Sequence, residues 1–476
     1  MTLPFEHSYA QQLQGLYVPW QGQEWPDPQL VLLNRPLAQD LGLDPDALDA
    51  ALLSGHSLPG SARPLAMAYA GHQFGGFSPQ LGDGRAILLG EVMAPDGTRH
   101  DIHLKGSGRT PFARGGDGRA VLGPVLREYL ISEAMAALGV PTTRALAACT
   151  TGDKVLRQYG LEPGAVLARV ASSHIRVGSF QFFAARGERQ KLQMLLDYTI
   201  ARHDPDLTDA PDRALQLLAR VGARQARTVA QWMGLGFVHG VMNTDNTSIS
   251  GETIDYGPCA FMDRYDPATC FSSVDEMGRY AYGNQPAVLF WNLARLAEAL
   301  LPLIDADEDR AIARATEVIE AGQRLYRAAW LDEFARKLGL DAPDAALIEG
   351  MHQLWQGQGV DFTLFFRALP AALRGDEAGL RALFDDDSGM GEWLAQYRHA
   401  AAADTPDRVA QANPIYIPRN HLVEQALHDA SFRNNFSAFH RLLELVREPF
   451  KPVPGAEEYA QPAPREAPEI VTYCGT

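Results

Sequence analysis

The chain has 476 residues, and 42 Lys and Arg against 58 Asp and Glu give it a net charge of −16. This length allows two lobes, or two to three domains, with a sizeable core. The acidic balance argues against nucleic acid as the main partner, because nucleic-acid binding depends on a cationic surface.

The sequence shows no export signal and no free membrane-spanning helix. Its N-terminus has no basic region followed by an apolar run. The longest apolar helical run, residues 287–304, is interrupted by Asn292, Arg295 and Glu298, which argues against a span through lipid. The four cysteines form no CxxC pair and no zinc spacing. We therefore expect a soluble, cytoplasmic protein without a membrane partner, and take a monomer as the default because the sequence does not give the oligomeric state.

The N-terminal part predicts a small sheet next to a glycine-rich turn. Alternating apolar and polar residues predict strands over 86–92 and 100–105. Gly82, Gly84 and Arg85 come just before the first of these strands. Glycines let a backbone approach phosphate closely, and arginine adds a bidentate charged contact. A plain turn would explain the same residues.

A lysine at a strand end is followed by a helix that carries two glutamates. Lys105 ends the second strand, and a helix is predicted from Pro124 to a stop at Gly139. The spacing from Lys105 to Glu128 is close to that of an ion pair in protein kinases, in which a helix glutamate positions the strand lysine on the ATP phosphates. We expect Glu133, on the same helix, to be a surface carboxylate.

The segment between that strand and that helix is rich in glycine and arginine. Residues 106–120 contain five glycines and three arginines. Such a loop can wrap polyphosphate, or it can be a disordered surface loop. Asp117 and Gly118 are placed to close over a nucleotide. Arg169 and Arg176 follow later apolar runs and are candidates for phosphate contacts, although an arginine on a strand is often solvated.

Residues 237–263 predict two polar loops joined by a small hairpin with its turn at 250–252. Asn246 and Asp255 lie nine positions apart on opposite arms of that hairpin. Oxygen ligands of this kind suit Mg²⁺, which is commonly held by one or two protein oxygens plus water and phosphate. Protein kinases hold the metal on ATP with a loop Asn and with the Asp of an Asp-Phe-Gly motif. Here Asp-Tyr-Gly stands where Asp-Phe-Gly would.

The base of the kinase loop is missing from its usual place. Kinases carry a catalytic Asp five residues before the metal-binding Asn, and Val241 occupies that position here. A valine accepts no proton. Asp245, beside Asn246, is the carboxylate that can serve instead.

The remainder of the chain is predominantly helical in pattern. Residues 264–285 are loop-like, where a kinase has its activation segment, and Cys270 lies there. Helices are predicted over residues 189–203, 211–233, 286–303, 308–338, 344–355 and 420–446.

Several long motifs resemble the selenoprotein O family over nearly the whole chain. They include GHQFGGFSPQLGDGRA, HLKGSGRTPFARGGDGRA, REYLISEAMAALGVPTTRAL, RVASSHIRVGSFQ, GFVHGVMNTDNTSISGETIDYGPCAFMD and NPIYIPRNHLVEQAL. The resemblance implies an α+β, protein-kinase-like two-lobe fold. It implies an N-terminal extension and sheet-containing N-lobe over 1–180, a mostly helical C-lobe over 181–450, and a tail over 451–476.

The family resemblance also implies an activity. The implied reaction is transfer of AMP, not phosphate, from ATP to Ser, Thr or Tyr hydroxyls of proteins, with release of pyrophosphate and a need for Mg²⁺ or Mn²⁺. ATP would lie flipped, so that its α-phosphate faces the acceptor. The partners would be ATP and the acceptor proteins.

The resemblance assigns roles to residues of this sequence. Lys105, supported by Glu128, would hold phosphate; Asn246 and Asp255 would hold the metal; and Asp245 would be the proton acceptor. The nucleotide would be bound by Gly82, Gly84, Arg85, Lys105, Asp117, Gly118, Arg169, Arg176 and Asp255.

The C-terminal sequence TYCGT places Cys474 where many animal members of the family carry selenocysteine. A disulfide between Cys270 and Cys474 could tie the tail over the site as a redox switch, or the two thiols could be unrelated. Two other functions compete with AMP transfer: a phosphotransferase with a displaced base, and a non-catalytic, nucleotide-binding pseudokinase scaffold, which Val241 favours.

Overall fold

The computed structural model describes residues 3–157, 160–467, 470 and 472. Strands dominate up to residue 171 and helices dominate after it. The strands are β1 Tyr17–Pro19, β2 Gln29–Leu33, β3 Leu65–Met67, β4 Gly71–Gln73, β5 Gly76–Ser78, β6 Ala86–Met93, β7 Arg99–Lys105, β8 Ala120–Val121, β9 Arg144–Arg157, β10 Gly160–Ala171, β11 Phe237–Val238 and β12 Ala260–Phe261.

The helices agree with most of the periodic segments. They are α1 Ser8–Gln12, α2 Arg35–Asp40, α3 Ala50–Leu53, α4 Leu122–Ala137, α5 Val177–Ala184, α6 Arg189–His203, α7 Arg213–Leu235, α8 Gln285–Ile304, α9 Glu308–Lys337, α10 Ala345–Trp355, α11 Phe362–Leu373, α12 Ala378–Arg381, α13 Met390–Ala400, α14 Thr405–Ala412, α15 Asn420–Arg433 and α16 Ser437–Arg447.

The main sheet is antiparallel, with the order β1-β3-β6-β7-β10-β9-β2 and with β8 paired to β10. In this register Arg169 of β10 lies opposite His103 of β7 and Ala145 of β9. Arg169 is therefore in the middle of the sheet and only 2% exposed, not at a solvated edge.

The alternation of side chains along β10 divides the sheet into two buried faces. Val166, Ala168 and Val170 pack with α2 and α3 on one face, and Ala165 and Leu167 pack with α4 on the other. Helices α15 and α16 cover the outer side of α4. Arg169 shares the α4 face, which brings its guanidinium under that helix.

Helices α5 to α14 share one large apolar core with the sheet edge near β3. Within it, α7 packs against α8 and α9. The segment Tyr282–Ile304 is long and apolar enough to cross a membrane by length and composition, with a mean hydropathy of 1.5. It contains α8, which buries Leu289, Leu293, Leu296 and Leu300 against its neighbours. These contacts are those of a core helix.

Two sequence predictions about the scaffold are wrong in detail. The predicted helix over 420–446 is two helices, because Asn434 takes a left-handed conformation with φ of 50° and ends α15. Glu133 is buried, not on the surface, because Arg144 pairs with it at 2.9 Å and Arg447 lies nearby.

The link from α14 to α15 is held by a buried ionic cluster. The fully buried Arg419 places Nη1 at 2.5 Å from Oδ1 of Asp263 and at 2.7 Å from Oδ2 of Asp361. Asp263 lies just after β12 and Asp361 caps α11. One arginine thus joins three separate parts of the chain.

We expect Arg419→Met to lower the free energy of unfolding by about 3–5 kcal/mol, because it leaves two carboxylates without their buried cation. Urea denaturation would measure the change. The control is Arg433→Met, which removes an exposed arginine paired with Asp429 and should cost no more than about 1 kcal/mol. Equal losses in the two variants would contradict the structural role of Arg419.

Candidate active site

A cavity of about 630 Å³ opens between the sheet, α4 and the loop after β11. Twelve residues that the sequence singled out for nucleotide, metal or proton transfer line it together. They are Gly82, Gly84, Arg85, Lys105, Asp117, Gly118, Glu128, Arg169, Arg176, Asp245, Asn246 and Asp255. Residues that lie up to 173 positions apart in sequence are thus brought to one place.

The strand lysine forms two short ion pairs in this cavity. Nζ of Lys105 lies 2.6 Å from Oε2 of Glu128 and 2.6 Å from Oδ1 of Asp255. Glu128 is buried in the middle of α4. The lysine is therefore held between the helix and the central loop.

The carboxylate of Asp255 accepts hydrogen bonds from three cationic side chains. Besides Lys105, Arg169 donates to Oδ1 at 2.8 Å and Arg176 donates to Oδ2 at 3.2 Å. Burial alone would raise the pKa of Asp255, but the neighbouring Lys105, Arg169 and Arg176 hold this pKa well below its usual range. The residue has φ of 64°, a left-handed conformation that is uncommon and costly outside glycine.

The two arginines are fixed by further contacts. Arg169 also donates to Glu128 at 3.1 Å, and Arg176 donates to the backbone oxygen of Asp245 at 2.6 Å. Both are almost fully buried. They present fixed positive charge to the cavity, which suits a polyphosphate.

A buried histidine–aspartate layer behind the arginines was missed by sequence reasoning. Nε2 of His103 lies 3.0 Å from Oδ2 of Asp83, and Nδ1 of His103 is 3.3 Å from Arg169. The ring of His103 stacks on His174 at 4.2 Å, and His174 in turn bonds Asp101 at 3.0 Å. The strand period is the signal that could have found it, because residues 101, 103 and 105 share one face of β7.

The predicted phosphate glycines are needed for close packing. Gly82 has φ of 140°, and a Cβ there would lie 2.5 Å from Phe112. A Cβ at Gly118 would lie 2.2 Å from the backbone nitrogen of Arg109. Asp117, next to Gly118, is exposed and pairs with Arg157 at 2.8 Å. Residues of the glycine-rich segment therefore form part of the cavity wall.

Asp245 lies at the end of the cavity under the hairpin β4–β5. Its Oδ2 accepts a hydrogen bond from Nε2 of Gln73 at 3.0 Å, and its Oδ1 is buried without a partner among the described residues. Burial raises the pKa of Asp245 to about 6, against the opposing effects of Arg176 and of the Gln73 hydrogen bond. Asp245 forms no salt bridge within the described part of the chain.

The central loop differs from the predicted hairpin. Its two arms do not pair with each other: Ser248 pairs with Arg176, and Thr253 pairs with Thr142. The loop is closed further out, where β11 pairs with β12. The tyrosine of Asp-Tyr-Gly is buried, and its hydroxyl forms a hydrogen bond with the hydroxyl of Thr142.

The side chains of Asn246 and Asp255 are chemically suited to a hard divalent cation, because both offer oxygen. Nδ2 of Asn246 donates to the backbone oxygen of Val241 at 3.1 Å, which leaves Oδ1 as the free ligand atom. Among the described residues no group of three or more His, Cys, Asp or Glu is placed to hold a metal. A metal here would need substrate phosphates and water to complete its ligands.

Cys270 lies outside the cavity lining, on the segment after β12. Its Sγ donates to Oδ2 of Asp275 at 3.3 Å. Burial, with a further contribution from Asp275, raises the pKa of the thiol to about 11. Thr472 donates its backbone N–H to the oxygen of Phe271 at 2.8 Å, so the tail meets this segment. Cys474 lies outside the described residues.

A family model described as "Protein adenylyltransferase SelO" matches residues 1–447. The chain belongs to this family. Among its relatives named protein nucleotidyltransferase YdiU, one from Cereibacter sphaeroides is 55% identical over 483 residues, with 100% of both chains covered. Another, from Rhodopseudomonas palustris, is 53% identical over 488 residues, with 99% of both chains covered.

A third relative of the same name, from Rhizobium etli, is 52% identical over 487 residues, covering 99% of this chain and 97% of its own. The matches run across the sheet, the central loop and the terminal helices. This member of the SelO family is therefore an enzyme, a nucleotidyltransferase of the protein adenylyltransferase class.

The histidine layer predicts a measurable effect on nucleotide binding. We expect His103→Leu to raise the Kd for Mg·ATP about tenfold, because Arg169 and Asp83 lose their shared partner. His103→Gln, which keeps polar atoms there, should recover part of the loss.

Isothermal titration calorimetry would measure these values, with His100→Leu as the control on the same strand. His100 lies outside the cavity lining and contacts Thr98. An unchanged Kd in His103→Leu would show that the layer does not position Arg169.

Proposed function

We propose that this enzyme transfers AMP from ATP to Ser, Thr or Tyr hydroxyls of proteins, releases pyrophosphate and depends on a divalent metal. One observation carries the proposal. The other carboxylates that line the cavity are each paired with a lysine, an arginine or a histidine, whereas Asp245 forms no salt bridge within the described residues. It is the carboxylate free to take a proton.

The chain's own residues supply the other parts of the mechanism. Lys105, Arg169, Arg176 and Arg85 bind and orient the phosphates in fixed, largely water-excluded positions. Asp245 accepts the proton of the acceptor hydroxyl while that oxygen attacks the α-phosphorus. The bond from the α-phosphorus to the bridging oxygen breaks, and pyrophosphate leaves with the bonding electrons.

The metal would be held by Asn246 and Asp255. Mg²⁺, or Mn²⁺ with the same ligand preference, neutralises phosphate charge when bound there. Gly82, Gly84, Asp117 and Gly118 would form the wall against the nucleotide, and Glu128 would keep Lys105 in place.

The two competing functions are less well supported. A phosphotransferase would have to use a base displaced from the usual kinase position, because the side chain of Val241 there is apolar and buried. A non-catalytic scaffold is at odds with membership of a family of enzymes. We propose that ATP and acceptor proteins are the partners, without nucleic acid or membrane, and that the enzyme is a cytoplasmic monomer.

The fold proposed with this function is the protein-kinase-like one. The antiparallel sheet with α4 across it supports an N-lobe within 1–180, and the helical core supports a C-lobe within 181–450. Residues 451–476 would form the tail. The helices α15 and α16 would return to brace α4 of the N-lobe.

We also propose a redox switch between Cys270 and Cys474. The hydrogen bonds of Thr472 to Phe271 support it, because they bring the described end of the tail beside Cys270. We expect activity to differ between oxidised and reduced protein, and Cys270→Ser to remove that difference. Equal activity with and without reductant, and no peptide shared between the cysteines by non-reducing mass spectrometry, would reject the switch.

The buried base predicts a pH dependence. Asp245 must lose its proton before it can accept one, so kcat/KM for the acceptor should rise with pH through about 6. Gln73→Leu removes a hydrogen bond that stabilises the carboxylate, so the midpoint should move to higher pH. Asp245→Asn should reduce the rate by about 10²–10⁴-fold. A midpoint that stays in place or falls in Gln73→Leu would contradict this assignment.

The metal assignment predicts that Asp255→Ala abolishes metal-dependent AMP transfer while the fold survives. The fold should survive because Glu128 still pairs with Lys105 and Arg169. Transfer would be measured over a range of Mg²⁺ and Mn²⁺ concentrations, and folding by circular dichroism. The control, Asp429→Ala on α15, should behave as wild type, and wild-type turnover in Asp255→Ala would refute the assignment.

A further inference from the structure

Large apolar side chains are exposed on two segments that border the cavity. Phe74 and Phe77 on the hairpin β4–β5 are 42% and 44% exposed, and Val274 and Met277 on the segment after β12 are 55% and 91% exposed. Phe74 and Val274 also line the cavity. Clustered exposed apolar residues of this kind mark interaction sites.

The hairpin is tied directly to the central loop. Phe74 donates its backbone N–H to Oδ1 of Asn243 at 3.2 Å and to the hydroxyl of Tyr280 at 3.1 Å. Tyr280 itself donates to Oδ1 of Asn243 at 2.6 Å, and its ring meets Phe74 at 5.2 Å. With Gln73 bonded to Asp245, the exposed rings are held at a fixed distance from the proposed base.

An arginine stacked on an aromatic ring completes the patch. The guanidinium of Arg279 lies over the ring of Trp291 at 4.7 Å, and Asp275 binds only its backbone N–H, at 2.9 Å. Arg279 forms no salt bridge in the described ranges. The nearby Arg295, also over Trp291 at 4.9 Å, is paired with Glu298.

Ring contacts join the hairpin to Trp291. His72 of β4 meets Phe77 at 4.8 Å and Trp291 at 5.1 Å. The hairpin tip at Gly75 faces the guanidinium of Arg279, which would lie 3.7 Å from a Cβ at that position. Aromatic side chains, Met and Arg are the residue types enriched at protein interfaces.

We propose that this acceptor surface, formed by Phe74, Phe77, Met277, Arg279 and Trp291, recognises a short segment of the protein that receives AMP. The segment carries a large apolar side chain for the hairpin rings and an acidic residue for Arg279, next to the hydroxyl residue that reaches Asp245. The inference rests on the proposed function and adds the class of acceptor.

Charge decides between this occupant and a basic or neutral segment. The chain has a net charge of −16, so long-range attraction favours basic partners. At the acceptor surface, however, the half-buried Arg279 has no carboxylate paired with it among the described residues, and a carboxylate placed there gains a charge-assisted hydrogen bond. Local complementarity therefore predicts an acidic preference that is opposite to the one set by the net charge.

The test uses a degenerate peptide mixture with one Ser, Thr or Tyr at a fixed position. The flanking positions are drawn from Leu, Phe, Ala, Gly, Asp and Lys, and the full-length enzyme is supplied with Mg·ATP. Mass spectrometry then identifies the peptides that carry AMP. We expect them to be enriched in Asp together with Leu or Phe near the hydroxyl.

Charge reversal tests the role of Arg279 directly. In Arg279→Glu the enrichment should change from Asp to Lys, and the KM for an Asp-containing peptide should rise about tenfold. The Kd for Mg·ATP should stay at the wild-type value. Met277→Asp should weaken the binding of the same acidic peptides. The control is Arg227→Glu, the same charge reversal at an exposed arginine of α7 outside the cavity lining, and it should leave the enrichment unchanged.

The outcomes separate the inference from the function on which it rests. AMP on peptides without a flanking preference, or the same preference in Arg279→Glu, overturns the inference alone. The inference is also overturned if light scattering shows that the wild-type protein is a dimer and that Met277→Asp is not, because a second copy of the chain would then occupy the surface. Absence of AMP on every peptide and on every whole protein supplied rejects the proposed function, and the inference with it.

Discussion

Three cationic side chains from separate parts of the chain meet at the carboxylate of Asp255. Lys105, Arg169 and Arg176 repel one another in this partly buried position, and the carboxylates of Asp255 and Glu128 together offset that repulsion. Asp255 and Glu128 therefore hold open a cationic site before any nucleotide arrives. Preorganised charge of this kind favours phosphate chemistry, because the protein does not need to reorganise during the reaction.

The sheet makes this convergence possible. Adjacent β7 and β10 place Lys105 and Arg169 on the face covered by α4, which contributes Glu128. The central loop is then fixed from outside, because Ser248 pairs with Arg176 and Thr253 pairs with Thr142. Between these attachments Asp255 has a left-handed backbone conformation, which places strain at the carboxylate that the three cations share.

The sequence predicted the parts that follow from local patterns. The period of strands and helices gave the bounds of β6, β7, α6 and α9 to within about two residues. Motif spacing selected Lys105, Glu128, Asn246 and Asp255, which the structure brings to one cavity. Features that depend on distant partners were missed: the burial of Glu133 depends on Arg144 and Arg447. The histidine–aspartate layer around His103 depends likewise on the β7–β10 register. The position of the hairpin β4–β5 over the cavity depends on its hydrogen bonds to Asn243 and Asp245.

The central claim is that the α-phosphate, not the γ-phosphate, is transferred to protein. The most direct measurement supplies purified enzyme, Mg²⁺ and a protein acceptor with ATP labelled at either the α- or the γ-phosphate, and follows label retained on protein. The account predicts label from the α position only, and its loss in Asp245→Asn. Label retained only from the γ position would contradict it and would indicate a kinase reaction with another base.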